Sequence, residues 1–277
     1  MDSINRLSAF YDWTLTLADK RVAKWPLIES PLPTIAIVVC YLAFVVYIGP
    51  KFMRKRKAMD FGLFLPAYNF ALVALNYYNT TRSGHRHLFF SMNQFNLNSS
   101  FTKVANGVWW YYFSKIIELC DTVLFTLRKR DRQITFLHVY HHSTMPILWW
   151  IGTKWIPGGQ SFVGVILNSS VHVIMYSYYG LSAMGPRVQK YLWWKKYITM
   201  IQLVQFVLAI AHTVQSLYVD CPSPRWMHWA LIGYAFSFIV LFTNFYIHAY
   251  WSKSYKAKSN GHTTVDGGKH GNGVHVK

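Results

Sequence analysis

The order of apolar and polar positions divides the chain into seven apolar segments, each near the ~20 residues that a helix needs to cross a bilayer. Polar residues interrupt four of these segments, and Pro66 and Asn69 stand inside the second. The pattern predicts an all-α polytopic membrane protein whose transmembrane domain covers residues 32–251, after a lumenal segment of residues 1–31. The segments run over residues 32–50, 61–78, 104–127, 133–153, 159–184, 197–219 and 226–251.

The composition agrees with a membrane protein. Of the 277 residues, 53% are hydrophobic and 14% are charged, whereas soluble domains usually carry about 25% charged residues. Aromatic residues reach 18%, and such rings favour the membrane interface. Residues 252–277 are rich in Gly, Lys, His and Ser, so we expect a disordered basic tail.

The formal net charge of +18 could indicate binding to nucleic acid, but its distribution favours another explanation. Four short basic blocks lie between or after apolar segments and hold 18 Lys and Arg residues, against 9 in the alternate connections. Basic residues favour the cytosolic side of a membrane. We therefore expect a lumenal N-terminus, a cytosolic C-terminus and no nucleic-acid partner. The blocks are residues 51–57, 128–132, 187–196 and 253–277.

The connection after the second apolar segment contains two glycosylation sequons, at Asn79 and Asn98. In the predicted topology this connection faces the lumen, where glycans are attached. Both asparagines are possible glycosylation sites, although such triplets are common by chance.

Ionisable and amide side chains occur inside the apolar segments, where they are costly unless paired and therefore often functional. Lys115, Glu118 and Asp121 form a K-x-x-E-x-x-D pattern that places them roughly along one helical face. Gln202 and Gln205 form a shorter polar stripe in the sixth segment. A structural charge network that joins helices is an equally good explanation of the first pattern.

The stretch HVYHH brings three imidazoles onto one helical turn, at His138, His141 and His142. His172 lies in the next apolar segment, with Asn168 one turn before it. A single histidine in a membrane helix is usually a hydrogen-bonded packing residue. Three on one turn, facing further polar stripes, predict a reactive site.

Two chemistries fit this histidine cluster, a metal centre and covalent acyl transfer. Membrane di-iron enzymes need more histidine ligands than one such motif and His172 supply. Adjacent His141 and His142 point about 100° apart on a helix, so one ion cannot easily bind both. Cys120 stands beside Asp121, which disfavours its thiolate. Imidazole is the better nucleophile, and we expect no metal and no cofactor.

Four motifs resemble the signature segments of the very-long-chain fatty acid elongases, the ELO family. They are KIIELCDT, HVYHH, NSSVHVIMYSYYG and TMIQLVQ, in this order on consecutive apolar segments. The stretch from HVYHHSTM to YLWWKKYIT is most similar to the animal branch, which extends polyunsaturated and very-long acyl chains.

The resemblance implies a 3-oxoacyl-CoA synthase of the endoplasmic reticulum membrane. Its substrates would be a long-chain acyl-CoA and malonyl-CoA, and carbon dioxide and coenzyme A would leave. Seven helices are implied, six of them around an acyl tunnel that is open to the cytosol. Other enzymes of the elongation cycle are expected partners, and homo-oligomers are compatible with the family.

The resemblance also assigns candidate catalytic residues. His141 and His172 would lie closest to the chemistry, while His138 and His142 would orient, bind or exchange protons. Asn168 would hold His172 or stabilise an oxyanion. The candidates for substrate binding or structural support are Lys115, Glu118, Asp121, Tyr176, Gln202 and Gln205.

The lumenal connection departs from the family pattern. Cys221 is present, but the connection after the second segment lacks the cysteine with which animal members usually pair it. A non-catalytic lipid-binding or regulatory relative is the main alternative to an enzyme, although the intact histidines and charged stripe argue against it. A metal-dependent membrane desaturase or hydroxylase is a weaker alternative.

Overall fold

The computed structural model describes residues 2–84, 97–158, 161–220 and 224–251. Within these ranges the chain contains helices, turns and no β-strand, which confirms the predicted all-α class. The α-helices are α1 (Asp2–Thr16), α2 (Leu32–Ala43), α3 (Gly49–Met53), α4 (Phe64–Gly84), α5 (Leu97–Ile117), α6 (Leu119–Leu127), α7 (Phe136–Trp155), α8 (Ser161–Ala183), α9 (Pro186–Gln189), α10 (Lys195–Tyr218) and α11 (Arg225–Tyr246).

Helices occupy all seven of the predicted apolar segments. A π-helical turn at Phe44–Ile48 joins α2 to α3, and a second one at Ile247–Trp251 extends α11. Among the described residues, three helical spans are long and apolar enough to cross a membrane by length and composition: Leu32–Met53, Lys195–Tyr218 and Arg225–Tyr250. The predicted tail of residues 252–277 lies outside the described residues.

Helix α7, which carries the HVYHH motif, begins at a clear cap. The backbone N–H of His138 donates to Thr135 Oγ1 at 3.2 Å, as an N-cap residue does for the first turn. The cap therefore fixes where α7 begins, and with it the direction in which the histidine side chains point from the helix. Pro146 lies inside the same helix, as membrane helices tolerate when neighbouring groups satisfy the backbone.

The third predicted segment is interrupted, and the expectation of one continuous helix over residues 104–127 is wrong. Helix α5 ends at Ile117 and α6 begins at Leu119. At the junction, Glu118 N donates to Ser114 O at 2.9 Å, while Asp121 N donates to Glu118 O at 3.1 Å in a tighter turn. This break keeps Glu118 and Asp121 buried but gives them different neighbours.

Helices α4 and α8 pack closely against each other over much of their length. Gly180 on α8 allows this approach, since a Cβ there would lie 3.1 Å from Cζ of Phe70 on α4. Deeper in the molecule, Val108 and Tyr111 of α5 pack with Met145 of α7 and Val165 of α8. The helices that carry the polar motifs thus surround one buried region.

The segment after α1 is fastened to one end of this bundle by side chains from α5 and α7. The indole N–H of Trp109 donates to Pro26 O at 2.9 Å, and that of Trp150 donates to Leu27 O at 2.8 Å. Lys154 is buried and donates to Ile28 O at 3.1 Å. The end of α7 and the N-terminal segment therefore lie on the same side of the bundle, as the predicted topology requires.

The structure contradicts the prediction that Asn79 lies in the connection after the second apolar segment. Helix α4 continues to Gly84, and the side chain of Asn79 is 0% exposed. A buried amide cannot carry a glycan, so Asn79 is not a glycosylation site in this fold. The side chain of the second candidate, Asn98, lies outside the described residues.

Candidate active site

Helices α7 and α8 bring the four predicted histidines into one cluster. The ring centres of His138 and His142 are 4.2 Å apart, and those of His141 and His142 are 5.1 Å apart. His172 approaches from α8, with its ring centre 6.3 Å from that of His141. The i, i+3, i+4 spacing thus produces the shared face that the sequence predicted, and His172 joins it from the neighbouring helix.

Lys115, Glu118 and His172 form a buried charge network, of which the lysine and the glutamate are at most 1% exposed. Lys115 Nζ donates to Glu118 Oε1 at 2.8 Å and to Oε2 at 3.0 Å. His172 Nδ1 lies 3.3 Å from both Lys115 Nζ and Glu118 Oε1. The ring of Tyr111 covers the ammonium group, with its centre 4.5 Å from Lys115 Nζ.

The position of His172 Nδ1 between a donor and an acceptor gives this ring two alternative states. When Nδ1 carries the proton it donates to Glu118, and Nε2 is then an acceptor. When Nδ1 accepts from Lys115, Nε2 carries the proton and is a donor. The network therefore fixes the ring's orientation and can exchange its tautomer without moving heavy atoms.

Asp121 does not belong to that network, although the sequence places it in the same stripe. Tyr68 Oη donates to Asp121 Oδ1 at 2.7 Å, and Tyr176 Oη donates to Oδ2 at 2.6 Å. Both carboxylate oxygens are thereby satisfied by hydroxyl groups from α4 and α8. Asp121 thus joins three helices and holds Tyr176, whose ring centre lies 5.6 Å from that of His172.

His138 is fixed by its own set of hydroxyl groups. Its Nε2 forms a hydrogen bond of 2.9 Å with Thr122 Oγ1, which in turn lies 2.9 Å from Tyr41 Oη. His142 is buried beside it, with no hydrogen bond from its ring to the described residues. Neither of these two rings lines the cavity described below, and His142 contacts the His141 ring.

Asn168 and the two glutamines occupy different places. Tyr111 Oη donates to Asn168 Oδ1 at 2.6 Å, so Asn168 is held by Tyr111 and His172 by the charge network. Gln205 is buried and lines the cavity described below. Gln202 Nε2 instead contacts Met175 Sδ at 3.6 Å, and the structure does not bring Gln202 to the histidines.

A largely apolar cavity of about 280 Å³ opens beside the cluster between α7, α8, α10 and α11. Of the four predicted histidines, only His141 lines it, together with Tyr111, Asn168 and Gln205. Within the described part of the chain, the His141 ring contacts other rings and forms no hydrogen bond. His142 also lacks a ring hydrogen bond but does not line the cavity, so His141 is the one ring of the four that is both free of hydrogen bonds to the described residues and open to the cavity.

Comparison with known proteins supports the motif-based resemblance. Residues 26–258 match the ELO family, described as the GNS1/SUR4 family. The chain belongs to the ELO family. Curated relatives include "Very long chain fatty acid elongase 4" of Mus musculus, 52% identical over 270 residues that cover 94% of this chain and 86% of the relative.

Two further relatives show how far the similarity extends. "Very long chain fatty acid elongase 4" of Homo sapiens is 51% identical over 272 residues, covering 96% of this chain and 85% of the relative. "Very long chain fatty acid elongase 5" of Tachysurus fulvidraco is 42% identical over 286 residues, covering 99% of this chain and 95% of the relative. The family resemblance predicted from four short motifs is confirmed across nearly the whole chain.

Sequence reasoning missed the hydroxyl groups that hold the site of this ELO family member. Tyr68, Tyr111 and Thr122 contact the predicted residues directly. Tyr111 lies about one turn before Lys115, and Thr122 lies about one turn after Glu118. A search one turn before and one turn after this charged pair would have found both residues, whereas no local signal points to Tyr68 on another helix.

The geometry of a metal site is absent from the described residues of this ELO family member. No group of three or more His, Cys, Asp and Glu side chains in those ranges is arranged to hold an ion. Glu118 is paired with the Lys115 ammonium group and the His172 ring instead. Asp121 and His138 are paired with hydroxyl groups.

Proposed function

We propose that this chain is a fatty acid elongase that condenses a long-chain acyl-CoA with malonyl-CoA. One observation supports this most: His141 alone of the clustered histidines faces the cavity, and no hydrogen bond from the described residues restrains its ring. An imidazole placed in this way is suited to nucleophilic attack on a substrate held in the cavity. The names of the relatives and the family membership point to the same reaction class.

In the first half-reaction, the unprotonated ring nitrogen of His141 attacks the carbonyl carbon of the acyl thioester. A carbon–nitrogen bond forms and the carbon–sulfur bond breaks. The coenzyme A thiolate takes the proton from the other ring nitrogen, which leaves a neutral acyl-imidazole and free coenzyme A.

Asn168 is placed to stabilise the oxyanion of this step. Its carbonyl oxygen already accepts from Tyr111, so the amide N–H groups remain available as donors. Asn168 also lines the cavity beside His141. A donor fixed before the reaction stabilises developing negative charge more effectively than water does.

In the second half-reaction, malonyl-CoA loses carbon dioxide and the resulting enolate attacks the acyl carbon. The carbon–nitrogen bond to His141 breaks, the imidazole regains a proton, and a 3-oxoacyl-CoA leaves. His172 lies next to His141 and is coupled to Lys115 and Glu118. Since His172 does not line the cavity, it would act on this step through His141, by stabilising the charge that develops on that ring while its own orientation is held.

The acyl chain would lie in the apolar cavity, and the coenzyme A groups would lie near the basic residues at the predicted cytosolic ends of the helices. Exposed residues of two such blocks are Arg54, Lys55, Arg130 and Arg132. Positive charge at that mouth favours the phosphate groups of both substrates. We include in the proposal seven membrane crossings, a lumenal N-terminus, the endoplasmic reticulum and association with other enzymes of the cycle.

Release of labelled carbon dioxide from carboxyl-labelled malonyl-CoA by the purified full chain tests this function. We expect release that depends on added long-chain acyl-CoA and persists in the presence of a metal chelator. His141→Ala should abolish it, while His248→Ala, at an exposed histidine, should not. Release that does not depend on acyl-CoA would contradict the condensation reaction. No release with any acyl donor would contradict the enzyme and favour the lipid-binding alternative.

A further inference from the structure

The cavity that begins at His141 does not end on apolar groups. Its other end is formed by the last turns of α10 and the first turn of α11, where His212, Thr213, Ser216 and His228 line it. On α10, Phe206 stacks on Phe238, which contacts the His141 ring. The adjacent Gln205 and Ser216 are 11 positions apart, which corresponds to about 16 Å along the helix. An apolar chain attached at His141 would thus reach polar side chains at its far end.

The hydrogen bonds of this group determine which atoms remain available. His228 Nδ1 lies 3.3 Å from Pro224 O, and because a carbonyl oxygen only accepts, Nδ1 must carry the proton. Neutral His228 Nε2 is then an acceptor. Ser216 Oγ, 3.0 Å away, must therefore donate its proton to His228.

The hydroxyl proton of Thr213 is also engaged in a hydrogen bond. Its hydroxyl group donates to Ala209 O at 2.7 Å. The hydroxyl oxygens of Thr213 and Ser216 consequently keep lone pairs but have no proton to offer. The far end of the cavity is rich in acceptors, and it contains no charged Lys or Arg side chain among its described lining residues.

His212 supplies a second, independent observation at the same place. It lies one turn before Ser216 and lines the cavity, yet its Nε2 is buried and has no hydrogen-bond partner among the described residues. A buried polar atom without a partner is destabilising, because it has lost its hydrogen bonds to water and gained none in return. A turn of the His212 ring about its side-chain bonds would bring Nε2 into the cavity, where a bound hydroxyl group would satisfy it and the methyl end of an ordinary acyl chain would not.

We propose that this acceptor-rich group, made of His212, Thr213, Ser216 and His228, is a subsite for acyl chains that carry a hydroxyl group at the end remote from the thioester. The hydroxyl proton would be donated to Ser216 or Thr213, and its oxygen can pair with the His212 ring. A terminal carboxylate offers only acceptors and would face the lone pairs of the two hydroxyl oxygens. The inference rests on the proposed function, since it assumes that the cavity holds an acyl chain.

Binding to the detergent-purified full chain tests the subsite without requiring turnover. Unsubstituted, ω-hydroxy and ω-carboxy fatty acids of equal length would be compared over a series of chain lengths, with their Kd measured by thermal stabilisation. We expect the ω-hydroxy acid to bind about 3- to 10-fold more tightly than the unsubstituted acid at the best-fitting length. The ω-carboxy acid should bind most weakly of the three.

Single substitutions test whether the preference for ω-hydroxy acids arises at this group of residues. His212→Leu and Ser216→Ala should each bring the Kd ratio of unsubstituted to ω-hydroxy acid close to one, while His248→Leu, at an exposed histidine outside the cavity, should leave the ratio unchanged. A ratio of one or less in the unaltered chain at every length would overturn the subsite. A preference that survives both cavity variants would overturn it too.

Activity separates this proposal from the function on which it rests. If the chain elongates unsubstituted acyl-CoA with no preference for ω-hydroxy chains in binding, the elongase function stands and the subsite is wrong. If it binds ω-hydroxy acids preferentially but shows no condensation, the subsite stands and the enzymatic proposal is wrong.

Discussion

At the scale of residues, the site depends on a lysine and a glutamate that neutralise each other inside a bundle of helices. Lys115 and Glu118 are at most 1% exposed, and their closest contact is 2.8 Å. Burying such a pair costs desolvation that the attraction barely offsets, so a pair of this kind is weak support for stability. Its contact with His172 Nδ1 provides a functional reason for it.

Glu118→Ala tests this reason. Because the substitution leaves a buried ammonium group without its counter-charge, the free energy of unfolding should fall by about 3–5 kcal/mol, and the condensation rate should fall with it. Lys115→Met combined with Glu118→Leu removes both charges and should recover most of the stability. We expect the rate to stay low, because His172 has lost both partners. A double variant as active as the unaltered chain would show that the pair only serves packing.

The sequence predicted most members of this site but few of their contacts. Three histidines on one turn and a K-x-x-E-x-x-D stripe stand out because polar groups are rare in apolar segments. Tyr68 and Tyr111 do not stand out, since the chain contains 19 tyrosines and most membrane helices place some at their interfaces. Which tyrosine meets Asp121 or Asn168 depends on how helices pack, and one sequence does not contain that information.

At the scale of elements, the break between α5 and α6 separates the two halves of the charged stripe. Glu118 follows α5 and meets His172, whereas Asp121 belongs to α6 and meets Tyr68 and Tyr176. No glycine or proline marks the break, which explains why the apolar pattern predicted one helix. The approximate places of the long helices followed from hydrophobic length alone, because a bilayer fixes that length.

Gly49 lies where α3 meets α6, and the close approach of the two helices there leads to a second prediction, about stability. A Cβ on Gly49 would lie 2.6 Å from Thr126 Cγ2 and 2.8 Å from Phe44 O, so Gly49→Ala should lower the free energy of unfolding by about 1–3 kcal/mol. Gly233 on α11 is the matched control, since a Cβ there meets nothing within 4 Å.

Gly233→Ala should raise the free energy of unfolding by about 0.4–1 kcal/mol, because alanine restricts the unfolded chain. Thermal unfolding in detergent measures both variants. Equal effects of the two substitutions would mean that α3 and α6 do not approach each other as closely as the structure shows.

At the scale of the whole molecule, the fold places the residues of the site at one end of an apolar cavity and gathers the N-terminal segment at the opposite side of the bundle. Residues 26–28 are held by Trp109, Trp150 and Lys154. Basic blocks lie at the other ends of these helices. This arrangement agrees with an odd number of crossings between the N-terminal segment and the block that follows α6.

Labelling of single cysteines tests that arrangement. Lys20 and Arg130 are both exposed, and the three native cysteines, Cys40, Cys120 and Cys221, would be replaced first. In sealed microsomes, a membrane-impermeant maleimide should label Arg130→Cys directly and Lys20→Cys only after permeabilisation. Equal labelling of both before permeabilisation would contradict three crossings between them and the seven-span topology.

The central claim is that His141 is the nucleophile, and intact-protein and peptide mass spectrometry after incubation with acyl-CoA alone tests it most directly. Without malonyl-CoA the second half-reaction cannot proceed, so the acyl group should accumulate on the peptide that contains His141. The adduct should be absent from His141→Ala and present in His248→Ala. An adduct that persists in His141→Ala, or that maps to His172, would contradict the account.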